Sequence, residues 1–444
     1  MALFNIPKRE EKDIHAIFEK AKKEIKPKIT IKGKGNTILM QLDAIKKTVE
    51  MNLGKEKDNY LCITDDEDFI AYCKNAVKDG IVAIDTETDS LDSIKANLAG
   101  VCLYSPSQKP AYVPVGHISV VTETKVSPQV SIEAIKEGMQ LLKTIKCVFH
   151  NAYYDLVIIY LSTGVMLEVY WDTLVGSHVL NENESHNLKD LYVKYILDGN
   201  TESWHFNELF EGIPFCYVPY NIGKLYAAKD AEMTLALMRF QEEYLTIGTE
   251  GCKEYKLEGV SRLFKEDLLP MIPILVDMKL TGMEFDFEKA KELKEKYTKL
   301  KEEALKSFNE SLEPFKNEIR EYNNTHSKAL EYPLNYNSSE QIRILFYDIA
   351  NIGVVYHKEP TGTGKNVINS LVSLDKFKGT PIRHVAECLL EVKTYDKALS
   401  SFIDKLTDDA MEHGGKIHSN LNLASTDTGR LSSSNPRQNW AVAA

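Results

Sequence analysis

The chain has 444 residues, enough for two or three domains that each bury a core. Its hydrophobic share of 43% and charged share of 27% are ordinary for a globular protein, and a net charge of −11 argues against simple coating of nucleic acid. The start, Met1-Ala-Leu-Phe-Asn-Ile-Pro-Lys-Arg-Glu-Glu-Lys12, holds no signal-peptide core, and no window approaches the roughly 20 apolar residues of a membrane span. Seven scattered cysteines with no Cys-x-x-Cys pair argue against a disulfide scaffold or a zinc site and read as reduced thiols of a cytoplasm.

Residues 1–58 hold 14 Lys/Arg against 9 Asp/Glu, so a basic lead precedes an acidic remainder. The runs Lys20-Ala-Lys-Lys23 and Lys32-Gly-Lys34 read first as a solvated helix face and an arm, and second as phosphate contacts. One or two short helices are expected there. From Tyr60 to about Leu245, strands and helices alternate. Ile81–Ile84 is a strand, and Leu98–Tyr104 with Ala111–Val115 form an antiparallel pair. Cys147–Phe149 is a short buried strand running into a helix from about Ala152 to Leu161. Asp172 and Asn187 cap the next two helices, and Gly223–Leu245 is strongly amphipathic. This mixture predicts an α/β layer domain.

After Gly251 the pattern is nearly all helix. Asp286 caps a long helix whose Leu293, Tyr297, Leu300, Ala304 and Phe308 step by three and four. Ser338-Ser-Glu-Gln341 is a capping box, and a second long helix runs from about Pro381 to Leu406. Two long helices with a smaller helical unit between them predict an elongated lever. Lys416–Leu423 alternates like a strand. No internal repeat is visible.

The chemistry is carried by acids. In Ile81-Val-Ala-Ile-Asp-Thr-Glu-Thr-Asp-Ser-Leu91, Asp85 and Glu87 are i and i+2 on a strand and share a face. Alone this pair fits a solvated strand edge. His150-Asn151-Ala-Tyr-Tyr-Asp155 adds a carboxylate one turn into the helix that follows a buried strand, at the carboxyl edge of the sheet. Tyr226 and Asp230, i and i+4 on the amphipathic helix, share a face as well. Four carboxylates in one cavity repel unless cations balance them. Two Mg²⁺ or Mn²⁺ ions would form the clamp used in phosphodiester hydrolysis, one activating a water and one stabilising the leaving 3′ oxygen. Tyr226 would orient the water, because a phenol of pKa about 10 is a poor base near neutrality.

Asp-x-Glu, Asn-x-x-x-Asp and Tyr-x-x-x-Asp, in this order and at these separations, resemble the 3′–5′ exonuclease family with four acids and a tyrosine. The resemblance covers about residues 60–245 and implies a ribonuclease-H-like sheet with flanking helices. It also implies that Asp85, Glu87, Asp155 and Asp230 hold metal, that Tyr226 orients water, that Leu91 wedges against the terminal base, and that Asn151 lies near the terminal nucleotide.

The second half resembles family A DNA polymerases. Leu268–Asp286 is similar to the lead into their thumb, Leu334–Phe346 to the thumb tip, and Ile417–Pro436 to the stretch opening the palm, where Arg430 would reach the primer-end minor groove. The implied division is a basic lead at 1–59, exonuclease at 60–250, thumb at 251–412 and the start of a palm at 413–444. The loop Asn435-Pro-Arg-Gln-Asn-Trp440 is shorter than the family's, and the palm and fingers motifs do not follow. The expectation is therefore a fragment, a frameshifted product or one half of a split polymerase. Its partners would be a single-stranded DNA 3′ end, duplex DNA at the thumb, and a separate palm-and-fingers chain. A phage-like proofreading enzyme of DNA replication is implied, in the cytoplasm of a bacterium or of an infected host. Two alternatives stand beside it: a 3′–5′ exoribonuclease resembling ribonuclease D, and a non-catalytic subunit that holds DNA. Thr361-Gly-Thr-Gly-Lys365 does not complete a phosphate-loop pattern and reads as a thumb loop, and His178, His186 and His205 show no ligand spacing.

Overall fold

The computed structural model describes residues 38–199, 213–327, 329–426 and 428–434. The two lysine runs of the lead, His205 and the Asn435–Trp440 loop lie outside the described residues. The described residues divide into two compact units, one of residues up to 282 with 418–434 and one of residues 283–417.

The first unit is built on six strands. In chain order they are β1 (Leu61–Cys62), β2 (Ile81–Thr88), β3 (Leu98–Tyr104), β4 (Ala111–Pro114), β5 (Lys146–Phe149) and β6 (Val169–Asp172). Their order across the sheet is β1-β4-β3-β2-β5-β6. Strands β2, β3 and β4 form an antiparallel meander, whereas β5 and β6 continue parallel to β2. The mixed sheet with flanking helices is thus the ribonuclease-H-like architecture the motifs implied. β2 and β3 are rich in β-branched and small apolar residues, and Val82, Ala83, Ile84, Val101, Cys102 and Leu103 are fully buried.

Helix α1 (Ile38–Leu53) falls at the end of the basic lead and buries Val49 in the sheet core. Helix α2 (Asp66–Asp79) starts on Asp65, whose carboxylate accepts the Glu67 and Asp68 amides, and stops on Gly80 at φ +72°. It packs against α3 (Ile132–Leu142). Three more helices bear on the site: α4 (Ala152–Thr163), α5 (Thr173–Leu180) and α6 (Leu188–Tyr195). Helix α7 (Tyr220–Leu245) lies across β2, β3, β4 and β5. The sequence pattern starts this last helix at Gly223; the observed start follows Pro219, which cannot continue the helix backwards.

The second unit begins at Met283, so residues 251–282 lie in the first unit. Helix α8 (Leu269–Thr281) and the π-turn before it put Phe264, Leu269, Ile272, Val276 and Leu280 into the sheet domain's core.

The second unit opens with β7 (Met283–Glu284), paired antiparallel with β8 (Lys416–Ile417). Helix α9 (Phe287–Ser311) is capped by Asp286, as the sequence predicts, and α10 (Pro381–Lys397) by Thr380. The two long helices are packed along each other, and one core takes Phe308, Leu345, Phe346, Val385 and Leu389 from them and from the segment between. A lever with a separate insert is therefore replaced by a single packed unit. Of the α9 stripe, Ala304 and Phe308 are buried in this core while Leu293, Tyr297 and Leu300 are half-buried, and α10 contributes Val385, Leu389 and Val392. Lys365 opens a helix that no strand precedes, and the Glu359 carboxylate lies against Gly362 and Gly364, where an anion would be repelled. Thr361–Gly364 is a loop, and Lys365 is the first residue of the helix after it. No helix among the described residues is long and apolar enough to cross a membrane.

The tail returns to the first unit as a hairpin of β9 (Asn420–Asn422) and β10 (Ser432–Ser434).

Candidate active site

Strand β5 pairs with β2 only from Ile81 to Ala83 and then turns into α4. The carboxyl-terminal half of β2 therefore projects past its parallel neighbour, and Asp85 and Glu87 stand in the resulting crevice. On the other edge β2 stays paired, Asp85 opposite Cys102 and Glu87 opposite Gly100. Ligand atoms of Asp85, Glu87 and Cys102 all lie within 4.8 Å of one another. Cys102 was not singled out in the sequence, because only the pairing register brings it beside Asp85.

The end of β5 leaves the Thr86 amide without a strand partner on that side. It donates to Asp155 Oδ1 at 2.9 Å, and the Thr86 hydroxyl donates to the same oxygen at 2.6 Å. Asp155 is 2% exposed, so these bonds fix it in place beside β2. The helix that carries it is held by Asp172. That buried carboxylate accepts the amides of Leu174 and Val175, capping α5 as predicted, and also those of Asn151 and Ala152 at the start of α4. The second pair of bonds was not legible locally, since it joins positions 20 and 21 residues apart.

Tyr226 and Asp230 come from α7, and both are buried. Asp230 is met by a residue sequence reasoning passed over. Lys189, on the first turn of α6, puts Nζ 2.7 Å from both Asp230 oxygens and 4.1 Å from the centre of the Tyr226 ring. The helix it stands on was predicted from its Asn187 cap, which accepts the Lys189 amide; the direction of the side chain was not.

Burial first, and then the charge of Asp230, push the Asp85 carboxyl up to about 7. Burial, followed by Asp85, raises Glu87 and Asp155 well above the usual carboxylate range. Burial raises Asp230 too, against the opposing charge of Lys189. These are acids short of positive charge. Hard carboxylate oxygens converging from one strand and two helices suit an oxygen-preferring divalent ion such as Mg²⁺ or Mn²⁺. Each acid holds its proton more tightly folded than unfolded. Their contribution to stability is therefore present at low pH, below about pH 4, and is lost as the pH rises through the raised values, about 7 for Asp85. In a chelator the unfolding temperature is expected to fall between about pH 5 and about pH 8, and added Mg²⁺ is expected to abolish that fall. Calorimetry at both pH values, with and without the ion, checks this; a flat profile in chelator contradicts the raised acids.

Leu91 is 92% exposed, an unusual state for a large apolar side chain, on the loop that follows β2. That loop is closed at its base, where Asp89 accepts the amide and side-chain nitrogens of Asn97. The Tyr154 hydroxyl, one residue before Asp155, bonds Thr88 and the Ser90 carbonyl and ties the same loop to α4. Asn151 occupies the cap position of α4 in left-handed conformation, φ +73°, and its exposed side chain makes no cap bond. Arg430 is exposed in the β9–β10 hairpin. That hairpin meets the first unit through the Leu421 amide on the Tyr153 hydroxyl and the Thr426 carbonyl against His178. His178 Nδ1 is also 3.1 Å from His186 Nε2. His150 bonds Thr173, and burial pushes it down to about 3, neutral at physiological pH.

The mixed sheet that carries these acids coincides with a family match: a model described as 3′–5′ exonuclease matches residues 60–244. A second model, DNA polymerase family A, matches residues 302–441, so the chain carries a stretch similar to each of these two domains, in that order. It is similar to DNA polymerase I of Pseudomonas aeruginosa, with 24% identity over 85% of this chain and 38% of that protein. Identity to DNA polymerase I of a Synechocystis species is 28%, over 82% of this chain and 33% of the relative. The DNA polymerase of Escherichia phage T5 is 24% identical over 86% and 43%. The chain thus spans well under half the length of the curated relatives it matches. Among solved structures, the POL domain of Pol1 from M. smegmatis, in complex with DNA primer-template and dNTP, shares its fold. The TM-score is 0.56 and identity 16%, over 83% of this chain and 54% of that one.

Proposed function

We propose that Asp85, Glu87, Asp155 and Asp230 hold two divalent cations, Mg²⁺ or Mn²⁺, and hydrolyse the terminal phosphodiester of a DNA 3′ end. The observation that carries this reading is the convergence of four acids whose carboxyls are all raised. The bound ions would supply an activated water and charge stabilisation at the leaving 3′ oxygen. The chain's own groups do the rest. Thr86 fixes the Asp155 carboxylate through two hydrogen bonds, and Tyr226, its phenol pushed well above the usual range by burial and then Asp230, stays protonated and donates to the water. Leu91 presses on the terminal base from its tied loop, and Asn151 offers its exposed amide to the last nucleotide. A mismatched end frays at low cost, so a single-strand-specific site removes errors without reading sequence.

The helical unit is proposed as a polymerase thumb that holds duplex DNA, and the hairpin with Arg430 as the opening of the palm, whose arginine reads the minor groove at the primer end. A separate palm-and-fingers chain is a further proposed partner. The setting proposed is replication in the cytoplasm of a bacterium or of a phage-infected host, supported by relatives from both. The test is digestion of a 3′-labelled single-stranded DNA and its RNA equivalent. Mononucleotide release from the DNA, dependent on Mg²⁺ or Mn²⁺ and stopped by chelator, is expected; preference for RNA would favour the ribonuclease D-like reading instead.

A further inference from the structure

We propose that Lys189 is a displaceable counter-charge of this site: it holds Asp230 while no divalent ion is bound and releases it when one binds. The inference rests on the metal-binding reading above and adds a residue to it.

An ammonium buried to 7% exposure needs a strong reason to be there. Docking α6 is not that reason. Leu188 and Leu191 already bury themselves against Met233 and Leu237 of α7, an apolar seam that joins the two helices without Lys189. Replacing a buried ion pair by apolar groups is often neutral for stability, so the pair earns no place as a fastener. Its position is informative instead. Nζ engages both oxygens of Asp230 at equal distance, the posture a cation takes on a carboxylate with no other partner. It also lies over Tyr226, so one ammonium covers the two functional groups that α7 delivers.

The charges then set the sequence of events. Four carboxylates with Lys189 in contact, and with Lys229 also acting on Asp230, leave an excess of negative charge, consistent with the raised acids. Two divalent ions balance four carboxylates fully, and Lys189 would remain as surplus positive charge in contact with a ligand oxygen. Like charges a few ångströms apart in a buried site repel strongly. Lys189 and the ion therefore compete for Asp230, and the lysine stem, free to turn about several bonds, is the partner that can leave. The lysine keeps the acids assembled before loading and lowers the affinity of the last ion to bind.

The experiment is Mn²⁺ titration of the full chain, by calorimetry or by loss of the free-ion paramagnetic signal, comparing wild type with Lys189→Met. Tighter Mn²⁺ binding in the variant by roughly tenfold is expected, the scale of close charge-pair couplings. The difference is expected to vanish in an Asp230→Asn background. In parallel, acetylation of Lys189 in the wild-type protein, followed by mass spectrometry, is expected to be slow in chelator and fast in Mg²⁺; this needs no variant to fold. Unchanged or weaker Mn²⁺ binding by Lys189→Met, or equal acetylation in both conditions, would overturn the assignment while leaving the metal reading intact. A wild-type protein that binds no Mn²⁺ would overturn both.

Discussion

Asp85→Ala combined with Glu87→Ala is expected to lower release of 3′ mononucleotides by about a thousandfold or more, while making the metal-free protein more stable. The rate follows from the several kcal/mol that metal-assisted charge stabilisation contributes, at about 1.4 kcal/mol per factor of ten. Two of the four acids are lost, the pair on β2 whose ligand atoms lie within 4.8 Å of each other. The stability gain follows from electrostatics. Burial and Asp230 disfavour an ionised Asp85, and burial and Asp85 disfavour an ionised Glu87, so removing both relieves repulsion above about pH 7. A functional site that is strained when empty behaves in this way. Binding of duplex DNA is expected to be unchanged. The checks are digestion of a 3′-labelled oligonucleotide and the unfolding temperature in chelator at about pH 8. A double variant that digests like its parent removes Asp85 and Glu87 from the chemistry.

Asp172→Ala is expected to be the most damaging single substitution away from the proposed metal ligands. The carboxylate is 1% exposed and accepts four backbone amides, two on each of two helices. Its loss leaves those donors buried without acceptors, at about 1–3 kcal/mol for each one that solvent cannot reach. A net loss of about 4 kcal/mol corresponds to a fall in unfolding temperature of about 8–16 °C for a unit of this size. Activity should fall too, because Asp155 stands one turn beyond Ala152 and moves with the start of α4. Asp172→Asn keeps the acceptor oxygen and should lose less than half as much. Thermal denaturation of both variants decides the matter: an alanine variant that melts within about 2 °C of wild type would mean that α4 is held by other contacts.

Much of this was legible in one dimension. The apolar, β-branched run Ile81–Ile84 announced a strand, which the structure extends to Thr88, and with it the shared face of Asp85 and Glu87. Caps at Asp172, Asn187, Asp286 and Ser338 located helix starts, because a capping side chain bonds amides two or three residues away. The spacing of Tyr226 and Asp230 placed them on one helical face in the same way. Domain limits were less legible. Residues 251–281 have the helical pattern of the second unit, yet bury Phe264, Ile272 and Val276 in the first, and amphipathicity says that a face will be covered without saying by what.

By itself, then, the sequence determined the elements, the acids and the faces they occupy, since each of these depends on residues within about four positions along the chain. The tertiary structure alone decided that Cys102 stands opposite Asp85, that Asp172 ties two helices, and that Lys189 lies on Asp230. Strand register and long-range ion pairs are settled by how whole elements pack, and that choice is made by the sum of buried contacts across the sheet, not by any local run of residues.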